Sequence, residues 1–207
     1  MMEEEKEDED DCDYIDPYAM DNGVLKNRFG IKDTKTLNEI EADITRLIIP
    51  KILKEKAPIH FDTSYLKQLH HELFSVVYDW AGEFRTIGIE KGGTSFLPPE
   101  QIENTLDKLF LELSEQKETL INNKELFSQY VGEMLVKLNY IHPFREGNGR
   151  TQRLFTSKLA QYAQIWIDWQ TISDGAMNSA CIDGIEGNTR KMIRLILLNS
   201  KNHNSND

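Results

Sequence analysis

Between positions 126 and 162, apolar side chains recur every three or four residues, and the recurrence breaks only once. Leu126, Phe127, Tyr130, Val131, Met134, Leu135, Leu138 and Ile141 form one stripe; Leu154, Phe155, Leu159 and Tyr162 form the next. That spacing predicts two amphipathic helices. The break is the run His-Pro-Phe-Arg-Glu-Gly-Asn-Gly-Arg-Thr-Gln-Arg at 142–153, so the order is helix, tight loop, helix. A helix opening directly out of such a loop begins with unpaired amides and partial positive charge, which favours a phosphate. Glycines at 147 and 149 allow positive φ and close approach of backbone to an anion.

Each side chain of the run has a task suited to its chemistry. Arg150 and Arg153 are three apart, so the helical repeat puts both on one face, within reach of a polyphosphate. Glu146 is a hard oxygen ligand of the kind Mg²⁺ uses alongside substrate phosphates. Asn148 can donate an amide N–H to a phosphate oxygen. His142, at the end of the preceding helix, has an ordinary pKa near ~6.5 and can take a proton at neutral pH.

The rest of the chain supports one mostly α domain. Its 207 residues suffice for one continuous core. The net charge of −11 is concentrated: residues 1–16 hold ten acids and one lysine. The body is close to neutral, which argues against non-specific nucleic-acid or membrane binding. The acidic head reads as a solvated, disordered tail. Cys12 and Cys181 are the two cysteines; neither has a partner at redox or zinc spacing, so both read as free thiols of a cytoplasmic protein. There is no apolar run of membrane length and no secretory n-region.

Along the chain, Asp33 caps a helix with Leu37, Ile40, Ile44, Leu47 and Ile48 on one face, ended by Pro50. Another helix follows Asp62, with Leu66, Leu69, Leu73, Phe74, Val77 and Trp80 inward, and His60, His70 and His71 at surface or core-edge positions. Residues 84–97 are the only β-like piece: bulky and polar residues alternate over 84–89, Gly92-Gly93 turns, and 94–97 returns. Its open edge suits addition of an extended partner segment, presenting a hydroxyl to His142. Pro98-Pro99 starts a long helix that closes near Asn122-Asn123. Two last helices are expected at 174–185 and 188–198, and the stretch from 199 is polar and frayed. The expected division is an acidic tail at 1–16, the domain at 17–199 and a polar tail at 200–207.

With those residues in place, the chain resembles the Fic family, whose signature is His-x-Phe-x-(Asp/Glu)-Gly-Asn-Gly-Arg-x-x-Arg. His142, Phe144, Glu146, Gly147, Asn148, Gly149, Arg150 and Arg153 fill every defined position. The likeness extends to 16–31, similar to the N-terminal segment of stand-alone bacterial Fic toxins, and to 78–93, similar to their flap; it covers roughly 14–200. The resemblance implies a single helical Fic-type domain with a short β-hairpin flap beside the active site. It implies adenylylation, the transfer of AMP from ATP to a protein hydroxyl with Mg²⁺ as cofactor. His142 would be the general base and Glu146 the magnesium ligand. Gly147, Asn148 and Gly149 would bind phosphate, with Arg150 on the β- and Arg153 on the γ-phosphate, and Phe144 would anchor the loop. Ile87, Gly88, Ile89, Gly92, Gly93 and Thr94 would form the target-docking flap. Type II topoisomerase ATPase subunits, of gyrase or topoisomerase IV, are the targets that similar toxins suggest.

Many Fic proteins are inhibited by a glutamate within (Ser/Thr)-x-x-x-Glu-(Gly/Asn), which pairs with the second motif arginine. No complete copy occurs here: Glu186-Gly187 is preceded by Ile182 at the hydroxyl position, Ser179 is followed by Asp183-Gly184, and Thr86 by Glu90-Lys91. Inhibition is therefore expected in trans, from a small antitoxin. Two alternatives stand beside the adenylyltransferase: a kinase like the related Doc proteins, whose loop departs from Gly-Asn-Gly, and a non-catalytic nucleotide- or partner-binding module.

Overall fold

Capping side chains decide where most helices begin. In the computed structural model, which describes residues 16–91 and 93–203, α1 (Thr34–Lys54) starts where Asp33 Oδ1 accepts the Thr36 N–H at 2.8 Å. The same device opens α2 (Thr63–Phe74) at Asp62, α4 (Lys124–Ile141) at Asn123 and α6 (Asp174–Ile185) at Ser173. Each cap satisfies one of the four amides a helix leaves unpaired. The helix α5 (Asn148–Tyr162) differs, because its cap residue is Gly147 and there is no side-chain cap bond to its first-turn amides. α3 (Ile102–Gln116) follows a 3₁₀ turn that begins at Pro99, and α7 (Arg190–Leu198) closes the helical set.

α4 is the hub. It packs against α3, α5, α6 and α7, and Phe127, Val131, Leu138 and Ile141 on it are almost fully buried. Each such side chain contributes roughly 1.5–3 kcal/mol relative to exposure. α7 crosses α4 at Gly132, where a Cβ would stand 2.7 Å from the Ile193 Cα; only a hydrogen fits between these backbones.

Four local readings change. α1 does not stop at Pro50 but runs on to Lys54. Pro50 sits in its last turns, where the lost N–H is a small penalty beside the burial of Ile52 at 5% exposure. Lys158 Nζ and Gln161 Nε2 of α5 donate to the Glu55 carbonyl just beyond the helix. The inward face of α1 is also rotated: Leu37, Glu41, Thr45 and Ile52 are buried, while Leu47 is 70% exposed. His70 is not at an edge but in the core, at 0% exposure.

The fourth change concerns strands. β1 (Glu90–Lys91) and β2 (Thr94–Ser95) make a two-residue ladder, Glu90 opposite Ser95 and Lys91 opposite Thr94. Residues 84–89 lie outside it, because side chains take their backbone groups: Tyr18 Oη accepts from Thr86 N, and Arg85 donates to the Ile87 carbonyl. The polar C-terminal stretch is not frayed throughout. Ser200–Asn202 forms β4, antiparallel to β3 (Ile165–Ile167), with Ser200 buried. The acidic tail lies outside the described residues, apart from Asp16.

Candidate active site

Gly147 is the corner on which the site turns. It has φ +80°, and a Cβ there would fall 2.4 Å from the Phe74 ring. The loop before it is braced from inside. Asn148 Oδ1 accepts the Phe144 N–H at 2.9 Å, and its Nδ2 donates to the Phe144 carbonyl at 2.7 Å. That brace uses one of the two N–H donors on Nδ2, and Asn148 lines the cavity, so the second donor is left for the phosphate contact expected of it. Phe144 is 1% exposed and its ring stacks on His70, centroids 3.8 Å apart.

His70 is a residue that sequence reading passed over. Its Nδ1 accepts the Gly82 N–H at 2.8 Å, which leaves Nε2 to donate to the Glu146 carbonyl at 3.0 Å. Burial drives its pKa down to about 3, so the ring is a fixed, neutral brace under the loop.

His142 ends α4 in the left-handed conformation, φ +44°. Its Nδ1 lies 3.2 Å from the Asn139 carbonyl, so that nitrogen carries the hydrogen and Nε2 keeps its lone pair. The ring stacks on Phe96 at 4.0 Å. Burial holds its pKa down at about 4, against the opposing pull of the Asn139 carbonyl. At neutral pH it is an unprotonated base.

A cavity of about 550 Å³ opens in front of it. Flap residues Ile87, Gly88, Ile89, Glu90 and Lys91 form one wall; Gly149 and Arg153 of α5 form another. The far end is more apolar, with Leu135, Trp169, Met177 and Met192 beside the half-buried Cys181. Gly93 has φ +78° at the flap's turn. Thr94 contributes backbone to the ladder, and Gly92 lies outside the described residues.

The two motif arginines part company. Arg153 lines the cavity and its guanidinium makes no hydrogen bond or ion pair with another described residue, while burial lowers its pKa. Arg150 is not among the lining residues. Its Nη2 is held by the carboxylate of Glu41 on α1, its guanidinium lies 4.8 Å from the Phe74 ring centre, and Glu146 Oε1 is 3.4 Å away. Positions three apart are offset by about 60° on a helix, which lets the Arg150 side chain reach Glu41 on α1 while Arg153 lines the cavity. Glu41 is 3% exposed, and its Oε2 has no hydrogen-bond partner among the described residues, nor has the buried Tyr78 hydroxyl. Burial, and then Glu41, raise the Tyr78 pKa. Glu41 was hidden in the sequence because it falls among isoleucines on a helix read at a different rotation.

Glu146 is half exposed, with Oε1 accepting the Gly147 N–H at 2.7 Å. Among the described residues no cluster of three or more metal-binding side chains exists. Arg145 forms a two-pronged pair with Asp16 (3.0 and 2.7 Å), which ties the N-terminal segment to the loop. Of the partial inhibitory matches, Asp183 pairs with Lys191 at 2.9 Å and Glu186 is exposed, neither of them lining the cavity, whereas Glu90 lines it from the flap. Among the described residues no helix is long and apolar enough to cross a membrane.

Residues 60–160 match the Fic/DOC family. The chain is 35% identical over 185 residues to the protein adenylyltransferase VbhT of Bartonella schoenbuchensis, an alignment of 89% of this chain and 39% of that protein. To a probable protein adenylyltransferase of Sinorhizobium fredii, y4lH, it is 36% identical over 166 residues, or 79% of this chain and 84% of that one. The Fic domain of a putative cell filamentation protein from Bartonella quintana, solved with bound ADP, superposes with a TM-score of 0.83 at 30% identity, covering 91% of this chain and 96% of the other. BepC of Bartonella tribocorum, solved with AMPPNP, gives 0.82 at 29% identity, covering 89% and 96%. The chain thus spans well under half of VbhT and most of y4lH, and it belongs to the Fic/DOC family, as these adenylyltransferases do.

Proposed function

We propose that this domain transfers AMP from ATP to a hydroxyl side chain of a protein. The observation that carries the reading is the pairing across one cavity of an unprotonated His142 Nε2 with an uncapped helix start beside Arg153. In the step, the target hydroxyl oxygen bonds to the α-phosphorus, the bond to the pyrophosphate oxygen breaks, and the hydroxyl proton goes to His142 Nε2. The amides of the first turn of α5 and the Arg153 guanidinium receive phosphate charge in place. The names of the relatives and the nucleotides bound to the similar structures support ATP as co-substrate.

Glu146 fits a magnesium ion, being a hard carboxylate that lines the cavity and is half exposed, and it would hold that ion. When bound, the ion would supply charge neutralisation at the phosphates. The Arg153 guanidinium, which forms no ion pair with a described residue, and the lack of a complete inhibitory pattern in the sequence support inhibition by a glutamate from a separate small antitoxin.

Incubation with α- or γ-labelled ATP and a bacterial lysate tests the reaction. The expected outcome is α-label on protein; γ-label on protein instead would make the enzyme a kinase. His142→Ala should lower transfer by roughly 10²–10⁴-fold while calorimetry shows Mg·ATP still bound. Transfer by that variant at the wild-type rate would refute His142 as base.

A further inference from the structure

Arg85 lies under the flap, 2% exposed, and no role so far described uses it. It is the largest fully buried side chain of the domain. Its guanidinium reaches four carbonyls on three segments. Nε donates to the carbonyl of His142 at 2.8 Å, and Nη2 to that of Ile141 at 3.2 Å, both at the C-terminal end of α4. Nη1 donates to Ile87 at 2.7 Å, just before β1, and Nη2 also donates to Leu97, just after β2. The backbone closes the same circuit: Arg85 N donates to the Pro143 carbonyl at 2.9 Å, and Leu97 N to that of Tyr140 at 3.1 Å.

The flap therefore has both roots bonded to one side chain, and that side chain also bonds the peptide of the histidine proposed as base. A two-residue ladder does not hold its own position in water. Something outside the ladder must fix it relative to His142. The planar fork of a guanidinium can serve carbonyls in several directions at once, as an ammonium cannot. Its positive charge also sits at the negative end of the α4 dipole, where the freed terminal carbonyls point.

We propose that Arg85 is the positioning residue that couples target docking on the flap to the orientation of His142, so that an acceptor segment seated on the flap carries its hydroxyl to Nε2 in register. The inference rests on the adenylyltransferase reading above. It assigns Arg85 to the transfer step and not to nucleotide binding, since Arg85 is not among the cavity-lining residues.

The test compares wild type, His142→Ala, Arg85→Lys and Arg85→Met. Transfer from α-labelled ATP is read on the most heavily labelled lysate protein, and Mg·ATP affinity by calorimetry. The expected result is a loss of kcat toward the protein of about tenfold in Arg85→Lys and about 100-fold in Arg85→Met, with ATP affinity within about twofold of wild type. Hydrogen exchange should show faster exchange at Phe96 and Leu97 in Arg85→Lys, with the amides of α2 and α5 unchanged; this readout serves even where Arg85→Met folds poorly. Equal losses in kcat and ATP affinity, or exchange rising throughout the domain, would reduce Arg85 to a structural residue and overturn the proposal. So would an Arg85→Met enzyme with wild-type turnover. If instead the wild-type chain labels no protein, or His142→Ala labels as well as wild type, the adenylyltransferase reading is what fails.

Discussion

Arg150 and Arg153 carry the same functional group one helical turn apart, and what already holds them separates their roles. Arg150 is committed to a buried carboxylate, Arg153 to none among the described residues. Removing one partner of a buried pair leaves the other uncompensated. Glu41→Gln keeps a weak acceptor for Arg150 and should lower stability by roughly 1–3 kcal/mol in a urea titration; no measurable change would mean that the pair contributes nothing net. His142 supplies a second residue-scale prediction. Its pKa of about 4 lies below the usual imidazole value, so the base form persists from neutrality down to that pH. The kcat/KM profile, which reports the free enzyme, should be level from about pH 6 to 8 and fall only near 4. An acid limb centred near ~6.5 would show an unburied, ordinary imidazole. The residues that mattered here divide cleanly by legibility. His142, Phe144, Glu146 and Gly147 could be assigned from type and order, because their tasks are set by chemistry local to the loop. Glu41, His70 and Arg85 could not, because each has a decisive partner 57 to 109 positions away.

At the scale of elements, the α5 start and the flap face each other, and each relies on other segments. α5 is gripped by α1 at both ends, through Arg150 with Glu41 and through Lys158 and Gln161 with Glu55. The helix whose first turn is left open for phosphate is therefore held by side chains further along it. The flap has only four ladder residues, fewer than alternation over 84–97 implied. The docking role proposed for it would use the backbone of Ile87 and Ile89, which line the cavity. Proline at both positions removes two N–H donors, so the double substitution should cut transfer to protein while leaving Mg·ATP affinity near wild type. Undiminished modification of the target would argue that docking lies elsewhere. The helix starts at Asp33 and Asp62 were readable because a cap is a local bond between neighbours. β4 was not, since nothing in Ser200-Lys201-Asn202 distinguishes a strand from a tail until β3 is beside it.

For the whole molecule, the core and the site are one structure. α4 supplies the hub of the core and ends in His142, and the core histidine His70 reaches the Glu146 carbonyl. Stability should therefore follow the protonation of that histidine. Its folded pKa of about 3 lies below the ordinary imidazole value, so between the two the unfolded chain binds the extra proton. Its contribution is complete above about pH 6.5 and is lost as pH falls toward 3, by up to roughly 1.4 kcal/mol per pH unit. Urea titrations of wild type and His70→Gln at pH 7.5 and 5 check this: the variant should start less stable and lose less on acidification. Equal losses in both would remove His70 from the acid response. The amino-acid sequence by itself determined the helical domain, the loop and the identity of its chemistry, because periodicity, caps and a dense run of functional groups are short-range properties of the chain. Only the tertiary structure decided which motif arginine faces the cavity, what aims the base and what holds the flap. Those outcomes depend on which distant carbonyl or carboxylate meets each buried polar group, and packing, not spacing, selects that partner.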